Sequence, residues 1–270
     1  MEVTAASQSV SYDSILLHHG RRTPRAYLLM HGLTASPQQF ESFGRLLYER
    51  GSNVYIPRLP GHGFSDRLTT ALEHLTAADL ILFAERSADY AATLGEQLVV
   101  VGFSVGGLLS AWIGQFLPIE RAVSIAPFLG VAWIPNRLMP RVARAALLAP
   151  NRFLWWHPLE RERFLPAHGY PRFPTHAVAH AAALAGRLLA AAIEHAPAAR
   201  EMQIVLNASE TTVSNRAARR LALAWAGHRA NLVSLQRLRG LPASHDIIEP
   251  LRSPELARRV YPALLELVDR

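Results

Sequence analysis

The sequence predicts an α/β protein with a mostly parallel central sheet, helices on both faces and a helical cap insertion. Short runs of apolar and β-branched residues alternate with longer helical patterns along most of the 270 residues. Most of these runs are continuously apolar, which is typical of strands covered on both faces in a parallel sheet. Half of the residues are hydrophobic and 18% are charged, so the chain can build a sizeable core.

Seven segments are predicted to form strands: 14–19, 25–32, 53–57, 97–104, 121–127, 202–209 and 231–238. Helices are predicted between them, at 37–50, 71–94, 105–116, 214–226 and 253–268. The first helix has both of the usual end signals, because Pro37 lies in its first turn and Gly51 follows its last residue. Strand and helix therefore alternate along the chain.

The interval from Pro127 to Arg200 is too long for a single crossover, since its 74 residues far exceed the dozen or so that a helical connection needs. Prolines divide its first part into pieces predicted to be helical, and an Ala- and Leu-rich helix is predicted near 175–195. We expect residues 127–200 to form a helical cap on a core of residues 1–126 and 201–270. Seven cap aromatics are expected to line a pocket or to attach the cap to the core: Phe128, Trp133, Phe153, Trp155, Trp156, Tyr170 and Phe173.

The positive charge is concentrated in the same interval. All 28 basic residues are Arg, and the formal net charge is +7. Residues 127–200 contain nine Arg and three acids, a surplus of six; the acids are Glu160, Glu162 and Glu194. No long basic run or nucleic-acid-binding motif accompanies this surplus, so no nucleic-acid partner is expected.

Arg137, Arg141 and Arg144 recur at roughly helical spacing after an apolar stretch. This pattern predicts either a weak contact between the basic cap and an anionic membrane surface or an ordinary solvated face. The first fourteen residues lack the basic start and apolar core of a signal peptide, and no uninterrupted apolar run reaches the roughly 18 residues that span a bilayer. A cytoplasmic protein is the expectation.

Neither a metal nor another cofactor is expected. The chain has no cysteine, which excludes disulfides, thiolate metal sites and a cysteine nucleophile. His176 and His180 lie four residues apart on a predicted helix, but no third ligand and no HExxH pattern accompany them.

Residues 102–106, Gly-Phe-Ser-Val-Gly, match the G-x-S-x-G pattern of a nucleophile elbow. A run of valines precedes the motif and an apolar helix is predicted after it, which is the strand-to-helix context that the pattern requires. A nucleophile in this position projects from a strained turn, beside which only residues without bulk fit. Ser104 is therefore the predicted nucleophile, and a simple Gly-rich turn is the alternative.

A serine hydroxyl needs a base and an orienting acid, which follow this kind of elbow in the order acid, then histidine. His245 follows the last predicted strand by a short loop, at the sheet edge where the elbow emerges, and is the predicted base. His228 precedes that strand and is the weaker candidate. Glu210, directly after the strand 202–209, is the predicted acid, and Asp246 is the alternative.

Two backbone N–H groups are expected to hold an oxyanion. One belongs to Val105, directly after the serine, and the other to Leu33, where Gly32 lets the chain turn inward after the strand 25–32. His31 is expected to be structural. Candidate substrate-binding residues are Gly32, Phe103, Trp133, Trp155 and Trp156.

The chain resembles the α/β-hydrolase superfamily, especially its bacterial carboxylesterase and monoacylglycerol-lipase-like branch. The resemblance is carried by the segments LLMHGLTASPQQF, RLPGHGFSD, VVVGFSVGG, the strand that ends at Glu210, and SHDIIEP. It covers roughly residues 14–126 and 201–268 and does not include the predicted cap. It implies hydrolysis of a carboxylic ester through an acyl-enzyme without metal or cofactor, although Glu at 210 departs from the more usual Asp.

The apolar cap favours small-molecule esters with an apolar acyl or aryl group. A serine aminopeptidase or a C–C bond hydrolase with the same three residues is one alternative, although the few acids of the cap offer little for a free amine. A non-catalytic ligand-binding protein of the same fold is the alternative from another class.

Overall fold

A computed structural model of the chain describes residues 9–159 and 166–269. The strands in these residues are β1 (Ile15–Leu17), β2 (Thr23–Met30), β3 (Asn53–Ile56), β4 (Gly95–Phe103), β5 (Arg121–Ile125), β6 (Phe153–Trp155), β7 (Arg172–Pro174), β8 (Glu201–Asn207) and β9 (Val233–Leu238). The α-helices are α1 (Gln38–Glu49), α2 (Ala77–Ala92), α3 (Val105–Phe116), α4 (Met139–Leu148), α5 (Thr175–Glu194), α6 (Asn215–Arg229) and α7 (Pro254–Asp269). Short 3-10 helices lie at Ala71–His74 and Ala230–Leu232.

A seven-stranded sheet forms the centre of the fold, with its strands in the order β1-β3-β2-β4-β5-β8-β9. Only β1 pairs antiparallel with its neighbour; the other pairs in this sheet are parallel. Strands β2, β4 and β5 are almost wholly buried, as their continuous apolar runs indicate. The predicted fold class and all seven predicted strands are confirmed.

The predicted helix at 71–94 is divided in the structure. A 3-10 turn ends at His74, and α2 begins only after Thr76. Thr76 Oγ1 accepts a hydrogen bond from Asp79 N (3.2 Å), and Asp79 Oδ2 accepts one from Thr76 N (3.0 Å). This reciprocal capping box satisfies two backbone donors at a new helix start, so the chain turns there.

The segment between β5 and β8 contains α4 and α5 and also a two-stranded antiparallel hairpin, β6–β7. The sequence pattern does not predict this hairpin, because the prolines of this region separate pieces predicted to be helical. Its strands carry Phe153, Trp155 and Phe173, and aromatic residues favour strands. Glu160 and Glu162 lie outside the described residues, and Glu194 ends α5 at the surface.

Among the described helices, α5 is long and apolar enough to cross a membrane by length and composition. An 18-residue window of its 20 residues has a mean hydropathy of 1.4, and 44% of that window is buried inside the protein. His176, His180 and Arg187 interrupt its apolar sequence. Its Ala- and Leu-rich face packs on α3 and α4, and a core helix of this kind passes the same test.

Gly114→Ala and Gly186→Ala are expected to change stability in opposite directions. A Cβ at Gly114 would lie 2.6 Å from both Ala122 Cβ and Met202 Sδ, so α3 would have to move off the sheet. At Gly186, on the exposed side of α5, no atom of the described residues other than its chain neighbours and the backbone of its own helix lies within 4 Å of that position. We expect alanine to lower the free energy of unfolding by about 1–3 kcal/mol at position 114 and to raise it by about 0.5–1 kcal/mol at position 186.

Urea unfolding followed by circular dichroism measures both changes. A Gly114→Ala protein as stable as the parent would contradict the close packing of α3 on β5 and β8.

Candidate active site

Ser104 lies at the sharp turn between β4 and α3. Its backbone has φ 56° and ψ −114°, a left-handed conformation that residues with a side chain rarely adopt. The turn is held by backbone hydrogen bonds: Ser104 N donates to Ile125 O (3.0 Å), and Phe128 N donates to Ser104 O (2.8 Å). The serine side chain is therefore presented in a fixed direction.

The two glycines of the motif are required by close backbone packing. A Cβ at Gly102 would lie 1.9 Å from Gly106 O, and a Cβ at Gly106 would lie 2.0 Å from Met30 O. No side chain fits at either distance. The turn that carries Ser104 can form only because these two residues have no Cβ.

Three predicted side chains form a continuous hydrogen-bonded row. His245 Nε2 lies 2.8 Å from Ser104 Oγ, and His245 Nδ1 lies 2.8 Å from Glu210 Oε2. The His245 side chain is 18% exposed, whereas that of Glu210 is fully buried. The row thus runs from the protein interior to the hydroxyl of Ser104.

Glu210 is held as a carboxylate. Burial opposes its ionisation, but the hydrogen bond with the His245 ring and those from the amides of Thr212 (2.7 Å) and Val213 (3.4 Å) outweigh that effect and lower the pKa of Glu210. An ionised carboxylate beside Nδ1 favours the tautomer with a proton on Nδ1. His245 Nε2 is then free to accept the hydroxyl proton of Ser104.

Asp246 does not contact the imidazole nitrogen. Its Oδ2 accepts a hydrogen bond from Gln39 Nε2 (2.8 Å), and its Oδ1 accepts from the amides of Ile248 and Glu249, both at 3.2 Å. Burial, with the nearby charge of Glu249, raises the pKa of Asp246. Of the two candidate acids, it is Glu210 that lies on His245.

The loop that carries His245 is tied to the end of β8 by Asn207, a residue that sequence reasoning missed. Asn207 Nδ2 donates to Pro242 O and Ser244 O, both at 2.9 Å, and Asn215 Nδ2 donates to Asn207 O (2.8 Å). The Asn207 side chain is buried. In the sequence, Asn207 begins an Asn-X-Ser triplet at the end of an apolar strand, and neither feature indicates a role in holding a loop.

The loop after β2 lies against the elbow. A Cβ at Gly32 would lie 3.4 Å from Ser104 Cβ and 3.3 Å from Phe103 Cδ1, so the Gly32 backbone packs directly on the turn. Among the described residues, Leu33 N has no hydrogen-bond acceptor in the protein. Val105 is the first residue of α3, and its N–H has no acceptor within the helix.

Two buried histidines shape this loop. His31 Nδ1 donates to Gly32 O (2.9 Å), and His31 Nε2 accepts from Leu59 N (3.1 Å). His62 Nε2 accepts from Thr34 N (3.0 Å), where Thr34 has a φ of 67°. Burial lowers the pKa of His31 far below its ordinary value and lowers that of His62 to about 4, so both rings are neutral.

Thr34 also joins the loop to the segment between β5 and β8. Its Oγ1 accepts a hydrogen bond from Trp156 Nε1 (2.8 Å), and its carbonyl oxygen accepts one from Tyr170 N (2.7 Å). A second connection is the buried pair His168 and Glu249, whose Nε2 and Oε2 lie 3.0 Å apart. These contacts hold the segment over Ser104.

A cavity of about 750 Å³ lies beneath this segment and is lined by Ser104 and His245. Its far wall is apolar and comes largely from α4, α5 and the hairpin; it includes Ile134, Met139, Ala146, Leu154, Val178 and Phe173. An apolar wall next to the hydroxyl of Ser104 fits an apolar group of a bound molecule.

Four of the five candidate substrate-binding residues line this cavity: Gly32, Phe103, Trp133 and Trp156. Trp155 does not line it. Successive residues of a strand point to opposite sides, so Leu154 and Trp156 face the cavity and Trp155 faces away. The sequence offered no way to choose between these two registers of a three-residue strand.

In the described part of the chain, no cluster of three or more His, Asp or Glu side chains is placed to hold a metal ion. His176 Nε2 lies 2.9 Å from the carbonyl oxygen of Ala149, to which it can donate a hydrogen bond.

Comparison with known proteins places the fold in a family. The model of the alpha/beta hydrolase family matches residues 27–260. A carboxylesterase of Bacillus subtilis (strain 168) is 31% identical over 100 residues, which are 37% of this chain and only 39% of that protein.

Two solved structures share the fold. One of the metagenome-derived lipolytic enzymes LipS and LipT superposes with a TM-score of 0.72 at 16% identity, covering 96% of this chain and 98% of the other. The monoacylglycerol lipase of Paleococcus ferrophilus superposes with a TM-score of 0.70 at 18% identity, covering 94% and 97% of the two chains. The resemblance seen in the motifs is confirmed: the chain belongs to the alpha/beta hydrolase family.

Proposed function

We propose that the protein hydrolyses carboxylic esters through an acyl-enzyme formed on Ser104. The observation that carries this proposal is the row of two 2.8 Å contacts that joins Ser104, His245 and Glu210 at the wall of an apolar cavity. A hydroxyl, an imidazole and a buried carboxylate in this order activate a serine nucleophile. The carboxylesterase of Bacillus subtilis and the lipases that share the fold support the assignment.

In the first half of the reaction, Ser104 Oγ attacks the ester carbonyl carbon while His245 Nε2 takes the hydroxyl proton. The carbonyl oxygen becomes an oxyanion, which the N–H groups of Leu33 and Val105 hold. Glu210 stabilises the imidazolium that has formed. When the tetrahedral intermediate collapses, the bond to the alkoxy oxygen breaks and the alcohol leaves with the proton from His245.

In the second half, water attacks the acyl carbon and His245 Nε2 accepts one of its protons. The new tetrahedral intermediate breaks its bond to Ser104 Oγ, which regains the proton from His245. A carboxylic acid is released and the starting state of the protein is restored.

The lining of the cavity favours an apolar acyl or aryl group in the substrate. Two acids line the cavity from outside the predicted cap, Asp246 and Glu249. Both already have partners, because Asp246 binds Gln39 and Glu249 faces His168 at 3.0 Å. The ammonium group of an aminopeptidase substrate would have to displace one of these partners, so an ester is the better fit.

Ser104→Ala is expected to abolish both ester hydrolysis and covalent labelling by a fluorophosphonate. Removal of the nucleophile in such a system costs at least about 10⁴-fold in kcat, and Glu210→Gln is expected to cost roughly 10³- to 10⁴-fold because the Nδ1 proton loses its acceptor. Initial rates on p-nitrophenyl butyrate and mass spectrometry of the labelled protein measure these effects.

Asp246→Asn is the matched comparison for Glu210→Gln, since it also removes one carboxylate beside the histidine. It is expected to retain more activity than Glu210→Gln. Full activity in Ser104→Ala would contradict the mechanism. If the parent protein is neither labelled nor active, a ligand-binding protein is indicated instead.

Ala146→Phe is expected to shorten the preferred acyl chain. Ala146 lines the cavity from α4, whereas its neighbour Ala145 is exposed on the same helix and does not line it. We expect Ala146→Phe to lower kcat/KM for p-nitrophenyl laurate by about tenfold or more and to leave p-nitrophenyl acetate nearly unchanged. Ala145→Phe is the control and should alter neither; an equal loss on both esters in Ala146→Phe would contradict an acyl-binding role of this wall.

We also propose that the surface around the mouth of the cavity contacts an anionic lipid surface. Trp133, Val142 and Leu154 line the cavity and are also 78%, 39% and 47% exposed, so they mark its mouth. Leu148 and Leu159 are still more exposed nearby in the same segment.

The charged side chains in the sequence around this apolar rim are all positive. Residues 127–159 contain four Arg and no acid. Arg137, Arg141 and Arg144 are exposed on or next to α4. An exposed apolar rim with cationic neighbours complements the headgroups of an anionic membrane.

The triple variant R137Q/R141Q/R144Q is expected to bind anionic vesicles about 100-fold more weakly than the parent, at about 1 kcal/mol per Arg. Sedimentation with phosphatidylcholine vesicles, with and without phosphatidylglycerol, measures the binding. The control R216Q/R219Q/R220Q removes the same charge from exposed positions of α6 and should have little effect. The proposed membrane contact is contradicted if both triple variants lose vesicle affinity equally, or if the parent protein binds equally well with and without phosphatidylglycerol.

A further inference from the structure

Gln39, at the start of α1, bridges two loops of the candidate site. Its side chain is only 2% exposed. Gln39 Oε1 accepts a hydrogen bond from Gly32 N (2.9 Å), and Gln39 Nε2 donates one to Asp246 Oδ2 (2.8 Å). One buried amide therefore connects the loop that carries Leu33 to the loop that carries His245.

Asp246 is itself held firmly at the other end of this bridge. Its Oδ1 accepts the amides of Ile248 and Glu249, so the carboxylate caps the turn that follows His245. Both carboxylate oxygens are engaged, and each hydrogen bond has a defined donor. The carboxylate can thus fix Gln39 in the orientation that presents Oε1 to Gly32.

Gly32 needs such support because it has no side chain of its own to anchor it. The Leu33 N–H belongs to the peptide unit that begins at the Gly32 carbonyl, and that carbonyl accepts the His31 Nδ1 proton. The preceding N–H, that of Gly32, is held by Gln39. Because a peptide unit is planar, holding the chain on both sides of Gly32 Cα fixes the direction of the Leu33 N–H.

We propose that Gln39 and Asp246 are positioning residues for ester hydrolysis, which hold Gly32 so that the Leu33 N–H points at the oxyanion. This inference rests on the proposed function. An oxyanion donor contributes only when it is preorganised at hydrogen-bond distance from the charge that develops in the transition state. Loss of the bridge therefore affects the transition state more than the bound ester.

If the side-chain amide at position 39 and the carboxylate at position 246 exchange places, every hydrogen bond of the bridge can form again. In Gln39→Glu, two carboxylates face each other across the bridge. In Asp246→Asn, either the contact with Gln39 or the contact with the amides of Ile248 and Glu249 loses its acceptor. In the double variant Q39E/D246N, the new carboxylate at position 39 accepts from Gly32 N and from the new side-chain amide at position 246. The oxygen of that amide accepts from the two backbone amides.

The experiment measures kcat and KM on p-nitrophenyl butyrate for the parent, the two single variants and the double variant. A boronic acid, which forms a tetrahedral adduct with the serine, reports the affinity for the transition state. Each single variant is expected to lose about 10- to 100-fold in kcat with KM changed less than about threefold. The inhibition constant of the boronic acid should rise in parallel, and the double variant should return to within about threefold of the parent.

Gln38→Glu is the matched control. It makes the same chemical change at the neighbouring position, which is not a cavity residue, and its carboxylate can still accept the hydrogen bond from Ser36 Oγ. It should retain the parent kcat. Thermal unfolding of all variants shows whether they fold.

The positioning role is overturned if the single variants keep the parent kcat, or if the double variant is no more active than the poorer single variant. It is also overturned if activity falls only as far as the amount of folded protein falls. If the parent protein hydrolyses no ester and its Ser104 is not labelled by a fluorophosphonate, the proposed function has failed instead. The two failures are therefore distinguishable.

Discussion

The close approach of three backbone segments at the elbow is the constraint on which the rest of the structure depends. Gly102, Gly106 and the end of β2 at Met30 pack so tightly that a Cβ on either glycine would lie within about 2 Å of a carbonyl oxygen. This packing forces Ser104 into a left-handed conformation and turns its hydroxyl out of the sheet edge. The strain at one residue is sustained by the buried strands and by α3 around it.

Around the elbow, buried polar side chains hold loops that have little regular structure of their own. His31, His62 and Asn207 are each almost completely buried, and each makes hydrogen bonds to backbone groups of a loop that borders Ser104. A buried polar group that loses its partner costs about 1–3 kcal/mol, so these contacts strongly disfavour other loop conformations. The neutral state of the two histidines suits this role, because each ring offers one donor and one acceptor.

The segment between β5 and β8 has a different kind of attachment. The side chains that it turns toward the cavity are mostly apolar. Polar contacts join it to the loop after β2 through Thr34 and to the loop after β9 through Glu249. The loop after β2 thus contacts both the elbow and the covering segment.

The sequence by itself determined the alternation of strands and helices, the serine turn and the chain order of serine, acid and histidine. These features are readable because they depend on local patterns: apolar runs, helix-end residues and a glycine-flanked serine. It also identified Glu210 and His245 as candidates, since each follows a strand that ends at the same edge of the sheet. It left the choice between Glu210 and Asp246 open, because the folded loops decide which carboxylate reaches the His245 ring.

Only the tertiary structure decided which side chains face the cavity and which residues support the loops. Trp155 was expected to contact substrate, yet the register of β6 directs it away and brings Leu154 and Trp156 inward. Gln39 and Asn207 have ordinary sequence surroundings, and their hydrogen bonds join parts of the chain that are far apart. Such roles depend on distance in space between distant residues, which no local pattern in the chain encodes.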